Sequence, residues 1–206
     1  MTPSAPIRCC LLLRLAACAE APAPLGAPMD GNPAGTVVSA GGAYTATVDE
    51  GGALTVGSRA GSSRQVDTGV DRRMAFSPDE RLVVYSKLGF AGETDLWALA
   101  MDGGVPVQIT DWRGSEDRPV VSPDGARVAF VSGHTGVASW YVLDLPTPGE
   151  IVPVERARQL TNVNLGPRRP GFARTGFTPP PSGLDYSWSE SGISWRAEGV
   201  LYTVMP

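Results

Sequence analysis

Two clusters of ionisable side chains in this 206-residue chain have the composition of a functional site. The first runs from Trp112 and Arg113 to Glu116, Asp117 and Arg118, an aromatic with mixed charges in a short stretch. Neighbouring carboxylates such as Glu116 and Asp117 are the groups a glycosidase uses, one as acid and one as base or nucleophile. A solvated connection with no ligand accounts for the stretch equally well. The second cluster is Arg156, Arg158, Arg168, Arg169 and Arg174, nineteen residues with no acid after Glu155. A basic segment on an acidic chain suits anionic headgroups, an acidic partner or a glycan. Composition offers a plainer account, because sixteen of the seventeen basic residues are arginine. The single histidine, His134, sits in Ser132-Gly-His-Thr-Gly136. A general base needs a nucleophile and an orienting group beside it, and the sequence around His134 supplies neither, so it reads as an exposed turn residue.

Other chemistries are excluded more firmly. There is no G-x-S-x-G elbow, P-loop or G-x-G-x-x-G. All three cysteines, Cys9, Cys10 and Cys18, precede residue 19, so the body has no thiol for catalysis or disulfides. With one histidine, a His/Cys metal site is excluded as well. The formal charge of −4 argues against nucleic acid, which needs a basic footprint. The expectation is a protein without catalytic residues, metal or cofactor.

Twenty-five glycines and nineteen prolines favour short strands and turns over long helices. The chain repeats itself. Met74-Ala-Phe-Ser-Pro-Asp-Glu-Arg-Leu-Val-Val-Tyr-Ser86 returns as Pro119-Val-Val-Ser-Pro-Asp-Gly-Ala-Arg-Val-Ala-Phe-Val131, an offset of 45. Leu96-Trp-Ala-Leu99 returns as Trp140-Tyr-Val-Leu143, and Gln108-Ile-Thr110 as Gln159-Leu-Thr161. Proline presets the first corner of each Ser-Pro-Asp turn and aspartate bonds the backbone two residues on. Glu80 stands where the second copy has Gly125, which predicts a turn that avoids positive φ. Leu82-Val-Val-Tyr85 and Val128-Ala-Phe-Val131 are unbroken apolar runs, the mark of strands covered on both faces. No helical period is present to supply that cover, so sheets must pack on sheets. A strand-built repeat of this length points to a propeller. Weaker units flank the pair, at 36–70 and 184–206, and bring the count to fifteen strands. Trp97, Trp140, Trp188 and Trp195 all fall in strands and read as core between blades. The expected fold class is all-β, with about four propeller-type blades in a partial or small ring. The units are 36–70, 71–113, 114–161 and 184–206, and 162–183 is a Pro/Gly/Arg loop. The cluster Trp112, Arg113, Glu116, Asp117 and Arg118 falls between two blades, where a loop would form a binding rim.

The first eighteen residues carry Arg8 and a short apolar run, a secretory signal pattern too short to anchor in a membrane. Leu15-Ala-Ala-Cys18 resembles the lipobox of bacterial lipoproteins, with Arg14 as a departure. That resemblance implies acylation of Cys18 and, with Ala19 following, the outer membrane. A plain cleaved signal, or a start codon misplaced on an unexported protein, are the alternatives. Residues 19–35 are Ala/Pro/Gly-rich and read as a disordered tether.

The pattern of Ser-Pro-Asp-Gly turn, apolar strand, aromatic-bearing strand and Gln-Leu-Thr resembles the TolB-like β-propeller repeat, closely over 73–110 and 118–161. The resemblance implies a six-bladed architecture and a role in protein or ligand binding in the bacterial envelope. Residues 36–206 are too few for six blades of this size. An open arc would expose blade faces, and apolar ones would favour envelope-protein partners or self-association. Alternatively, Thr36–Val38 could complete the last blade and close the ring. An accessory or carbohydrate-binding propeller beside a hydrolase or peptidase, and a truncated propeller without activity of its own, are the alternatives to an envelope binding protein.

Overall fold

The computed structural model describes residues 35–89, 91–146, 149–161, 186–197 and 200–206. Cys18, the 19–34 segment, the 162–183 segment and with it Arg168, Arg169 and Arg174 lie outside the described residues.

The fifteen strands fall into four antiparallel sheets, each a simple meander. The first holds β1 (Gly35–Val38), β2 (Tyr44–Val48), β3 (Leu54–Ser58) and β4 (Ser63–Asp67). The second holds β5 (Val70–Phe76), β6 (Leu82–Leu88), β7 (Thr94–Ala100) and β8 (Val107–Gln108). The third holds β9 (Glu116–Val121), β10 (Arg127–Ser132), β11 (Ser139–Asp144) and β12 (Arg158–Gln159). The fourth shows β13 (Tyr186–Ser189), β14 (Gly192–Ala197) and β15 (Val200–Val204). The first strands β1, β5, β9 and β13 touch in succession, so they are the inner strands about which the sheets fan out as blades.

Packing follows the apolar runs. Along β6, Val83 and Tyr85 join Ala46, Val48 and Leu54 of the first blade. Val84 points the other way, to Val128, Phe130 and Tyr141 of the third. Along β10, Ala129 and Val131 turn to Ile193 and Trp195 of the fourth blade. A strand alternates its side chains between faces, so an internal blade needs apolar residues at every position. The tryptophans behave as expected: Trp140 and Trp195 are core, and Trp97 and Trp188 pack against it half-buried.

The end blades follow a different rule. In the first, Ala46, Val48, Leu54 and Val56 face the second blade, which leaves Thr45, Thr47 and Thr55 on the opposite face. Thr36 shares that face and its hydroxyl donates to Thr47 across 3.1 Å. In the fourth, Ile193 and Trp195 face inward, and Ser194 pairs with Thr203 at 2.9 Å on the far side. Hydroxyls make up much of both end faces, beside the exposed Val38 on the first and Leu201 on the fourth. Thr36–Val38 does not complete the last blade. It pairs with β2 over its whole length, and no strand pairing joins the fourth sheet to the first among the described residues.

The turn motif also recurs more often than the Ser-Pro-Asp signature shows. Ser77 and Ser122 each accept the amide five residues on, from Leu82 at 3.0 Å and Arg127 at 2.9 Å. Each hydroxyl donates to the aspartate two residues on, Asp79 at 2.6 Å and Asp124 at 2.5 Å. Ser39 does the same for Tyr44, at 2.9 Å, in a first blade that lacks the aspartate. The missing carboxylate comes from Glu80 of the next blade, which accepts the Gly41 amide at 2.6 Å and a hydrogen bond from Ser39. The expectation that Glu80 avoids positive φ is overturned, since it adopts φ 61° beside 73° at Gly125. A left-handed glutamate is unusual; here the inter-blade clasp compensates for it.

Candidate binding site on the inner strands

The inner strands are held from their outer ends. Thr110 accepts the Leu96 amide at 2.9 Å and Thr161 accepts that of Trp140 at 3.0 Å. Gln108 and Gln159 each reach the following threonine's carbonyl, at 2.8 and 2.7 Å. This is the work of the Gln-x-Thr signature: it pins the last strand of a blade across the third. In the first blade Gln65-Val-Asp67 occupies the same place. There Asp67 accepts Tyr85 Oη at 2.7 Å and Lys87 Nζ at 2.5 Å, and so ties the first blade to the second.

On this frame, β5 and β9 each carry a bulge, between Val70 and Met74 and between Asp117 and Val120. Bulges re-aim side chains where they interrupt pairing. Arg73 and Arg118 lie in them at equivalent repeat positions. Arg73 Nη1 reaches Asp117 Oδ2 across 2.7 Å, and Asp117 Oδ1 accepts the Arg118 amide at 2.7 Å. Asp71, 3.7 Å from Arg73, and Tyr186 of β13 complete the group, so charged or polar side chains of three inner strands converge. Asp117 and Arg118 are 3% and 2% exposed. Burial raises the Asp117 carboxyl above its ordinary range, and the Arg73 guanidinium pulls it back. Burial, then the like charge of Arg73, lowers Arg118, whereas Asp117 supports it. Burial and Asp117 raise the Tyr186 phenol. Arg118 also holds φ 59°, a conformation that costs a non-glycine residue about 1–3 kcal/mol and often marks a functional position. Asp71 and Arg73 are half-buried, and Arg72 between them on β5 is exposed.

The sequence-predicted rim is divided by the structure. Trp112 is core, its ring against Phe130 and Tyr141 and its Nε1 donating to the Val152 carbonyl at 2.8 Å. Arg113 is exposed, and its carbonyl lies 3.3 Å from His134 Nδ1. Glu116, Asp117 and Arg118 are not in a loop: they begin β9 and are buried. Their charges suggested solvent, but partners from neighbouring blades cover them. Glu116 and Asp117 alternate across the strand and do not work as a catalytic pair. Glu116 accepts from Ser132 Oγ at 2.8 Å, while Asp117 meets Arg73. His134 meets no nucleophile: its backbone amide, not its ring, engages Ser132 Oγ, at 3.0 Å. Of the basic cluster, Arg156 and Arg158 are described. Both are exposed, and Arg156 is paired with Glu150. Arg72 and Arg73 were missed as site residues because the repeat was read for its turns and not for the strands before them. The signal was the Arg73–Arg118 match at the repeat offset.

No family model matches the chain. A curated relative, a protein TolB homolog of Chlorobium luteolum, is 38% identical over 64 residues, covering 31% of this chain and 15% of that protein. This chain therefore spans a small part of that relative's length. Among solved structures, the tricorn protease superposes with TM-score 0.51 at 14% identity, over 78% of this chain and 18% of that one. The β-propeller domain of the Trilobed protease from Pyrococcus furiosus, of open velcro topology, gives 0.50 at 11% identity, over 83% and 52%. At such identities the likeness to both proteases is one of fold alone. The fold of the chain is that of a β-propeller, and over 64 residues its sequence is similar to a TolB homolog.

Proposed function

We propose that the chain is a non-catalytic binding protein of the bacterial envelope, and that its inner strands present a charged mouth to a partner protein. The observation that carries this reading is the convergence of Asp71, Arg73, Asp117, Arg118 and Tyr186 from three blades, with an exposed Arg72 next to Arg73 on β5. A buried, strained and fully charged cluster is a poor way to stabilise a core. It is a good way to fix guanidinium groups toward an acidic partner segment. Acylation of Cys18 would tether this mouth to the outer membrane.

Two measurements test the reading. Full-length protein is cross-linked in envelopes and purified, as wild type, Arg72→Glu and, as control, Arg59→Glu on the β3–β4 turn. Loss of one adduct in Arg72→Glu alone supports the mouth; the same adducts in all three refute it. Separately, Cys18→Ser should release the protein from membranes, and a wild-type protein already free of membranes would refute the anchor.

A further inference from the structure

Blades two and three meet over a second group of acids, of which Glu116 is buried and Asp95 and Glu93 half-buried, on the face of β9 opposite the charged mouth. Glu116 is fully buried at the start of β9, and Asp95 lies across from it near the start of β7. Each carboxyl acts on the other. Yet Glu116 Oε2 and Asp95 Oδ1 are both buried with no donor reaching them. Two carboxylate oxygens cannot bond each other without a proton. The remaining bonds go elsewhere: Glu116 Oε1 accepts Ser132 Oγ at 2.8 Å, and Thr110 also approaches Glu116.

The charged groups acting most strongly on this pair are acids. Glu93, beside β7, acts on both members, and Asp111, in the connection after β8, acts on Asp95. Glu93 in turn accepts the Gly114 amide at 3.0 Å. The cations nearby are directed elsewhere, among them Lys87, which stands opposite Asp95 on β6 but sends its ammonium to Asp67. Arg73 and Arg118 serve Asp117 on the other side of β9. Arg113 is exposed, and His134, beyond the end of β10, sets its ring against the Arg113 carbonyl.

We infer that Asp95 and Glu116 share one proton and act as a pH-sensitive latch between the second and third blades, closed while the proton is held and loosened when both carboxyls ionise. Burial, followed by Asp95 and Glu93, pushes Glu116 up to about 8. Burial and Asp111 push Asp95 up to about 6. The sign follows from linkage. A carboxyl whose folded value is raised binds protons more tightly in the closed state. The latch is fully engaged below the ordinary values, 3.8 for Asp95 and 4.5 for Glu116, and is lost as pH rises toward 8. Ionising both leaves two unscreened negative charges facing each other, with Glu93 and Asp111 adding to the repulsion. The inference does not depend on the charged mouth binding a partner.

The test is amide hydrogen exchange on the full chain between pH 5 and 9, expressed as protection factors so that intrinsic base catalysis cancels. Amides of β7 and β9 should lose protection by about tenfold per pH unit between about 6 and 8 and level off above 8. Amides of β2 and β3 in the first blade should stay level. Glu116→Gln, which keeps the shape and supplies a donor, should flatten the profile and protect the joint at pH 9. Difference infrared spectroscopy near neutral pH should show a protonated carboxyl band that Glu116→Gln or Asp95→Asn removes, a readout that serves even if one variant folds poorly. Level wild-type protection factors, an unchanged profile in Glu116→Gln, or no protonated carboxyl at neutral pH would each overturn the latch.

Discussion

The Arg73–Asp117 contact offers the most direct test of how the inner strands are held. Asp117→Asn keeps the side-chain shape and an acceptor for the Arg118 amide, but removes the charge that separates two guanidinium groups. Removing one member of a buried pair costs about 3–5 kcal/mol. The Asp117 side chain is 5% exposed but that of Arg73 is 26% exposed, so water relieves part of the unpaired charge. A loss of about 2–3 kcal/mol is expected. In a body of this size that lowers Tm by about 4–12 °C. Urea unfolding of wild type, Asp117→Asn, Arg73→Met and the double variant closes a cycle. The double variant should cost less than the sum of the singles by about 1–2 kcal/mol, because Arg73→Met removes the cation that Asp117→Asn strands. A loss below about 0.5 kcal/mol in Asp117→Asn, the size of an ordinary surface change, or strict additivity in the cycle, would show that this pair does not hold the inner strands together.

Thr110→Val leaves the Leu96 amide buried without an acceptor, and urea unfolding should show a loss of about 1–3 kcal/mol; Thr110→Ser should restore most of it, and equal losses in both would show that the hydroxyl is not the agent. Glu80→Gly removes both the left-handed strain and the clasp on the first blade, so exchange of the Gly41 and Ala43 amides should quicken whatever the sign of the overall stability change. The Ser39 hydrogen bond first, and the Gly41 and Ala43 amides after it, hold the Glu80 carboxyl below its ordinary 4.5, so in the wild type the clasp is complete above that value and is lost as pH falls below it; Gly41 exchange that ignores Glu80→Gly would remove the clasp from the account.

The parts of the fold that were legible in sequence are those whose partners lie close along the chain. Ser77-Pro-Asp79 and Ser122-Pro-Asp124 close their own turns, and both copies could be read directly. Ser39 closes the same turn with Glu80, 41 residues along the chain, and no local pattern announces that pairing. The same distance explains why Glu80 was expected to avoid positive φ: its compensation lies in another blade. Glu116, Asp117 and Arg118 were placed in a loop because they fall between the two repeat units. Ser132 meets Glu116 within its own blade, but Asp95 and Arg73 come from the second blade and reach β9 only when blades pack. Trp112 was read as a rim aromatic for a related reason, since its cover, Phe130 and Tyr141, comes from strands of the following blade. Strand periodicity did carry information about position among the blades. The continuous runs of β6 and β10 denote internal blades, and Thr45-Ala-Thr-Val48 or Ile193-Ser-Trp195 denote an end blade with one wet face.

That distinction changes what the small number of blades implies. Against a six-bladed expectation, four sheets suggested an arc with raw apolar ends in need of cover. The end faces carry Thr36, Thr45, Thr47 and Thr55 on one side and Ser194 and Thr203 on the other, and the core clusters lie entirely between blades. Hydroxyl-bearing faces of this kind tolerate water, as the polar outer faces of capping repeats in other arrays do. On the function proposed above, recognition belongs to the inner strands, where charge is buried and Arg118 holds a left-handed backbone. Substitutions that weaken binding without unfolding should then fall at half-buried Asp71 and exposed Arg72, whereas those at Arg73, paired with Asp117, should cost stability as well.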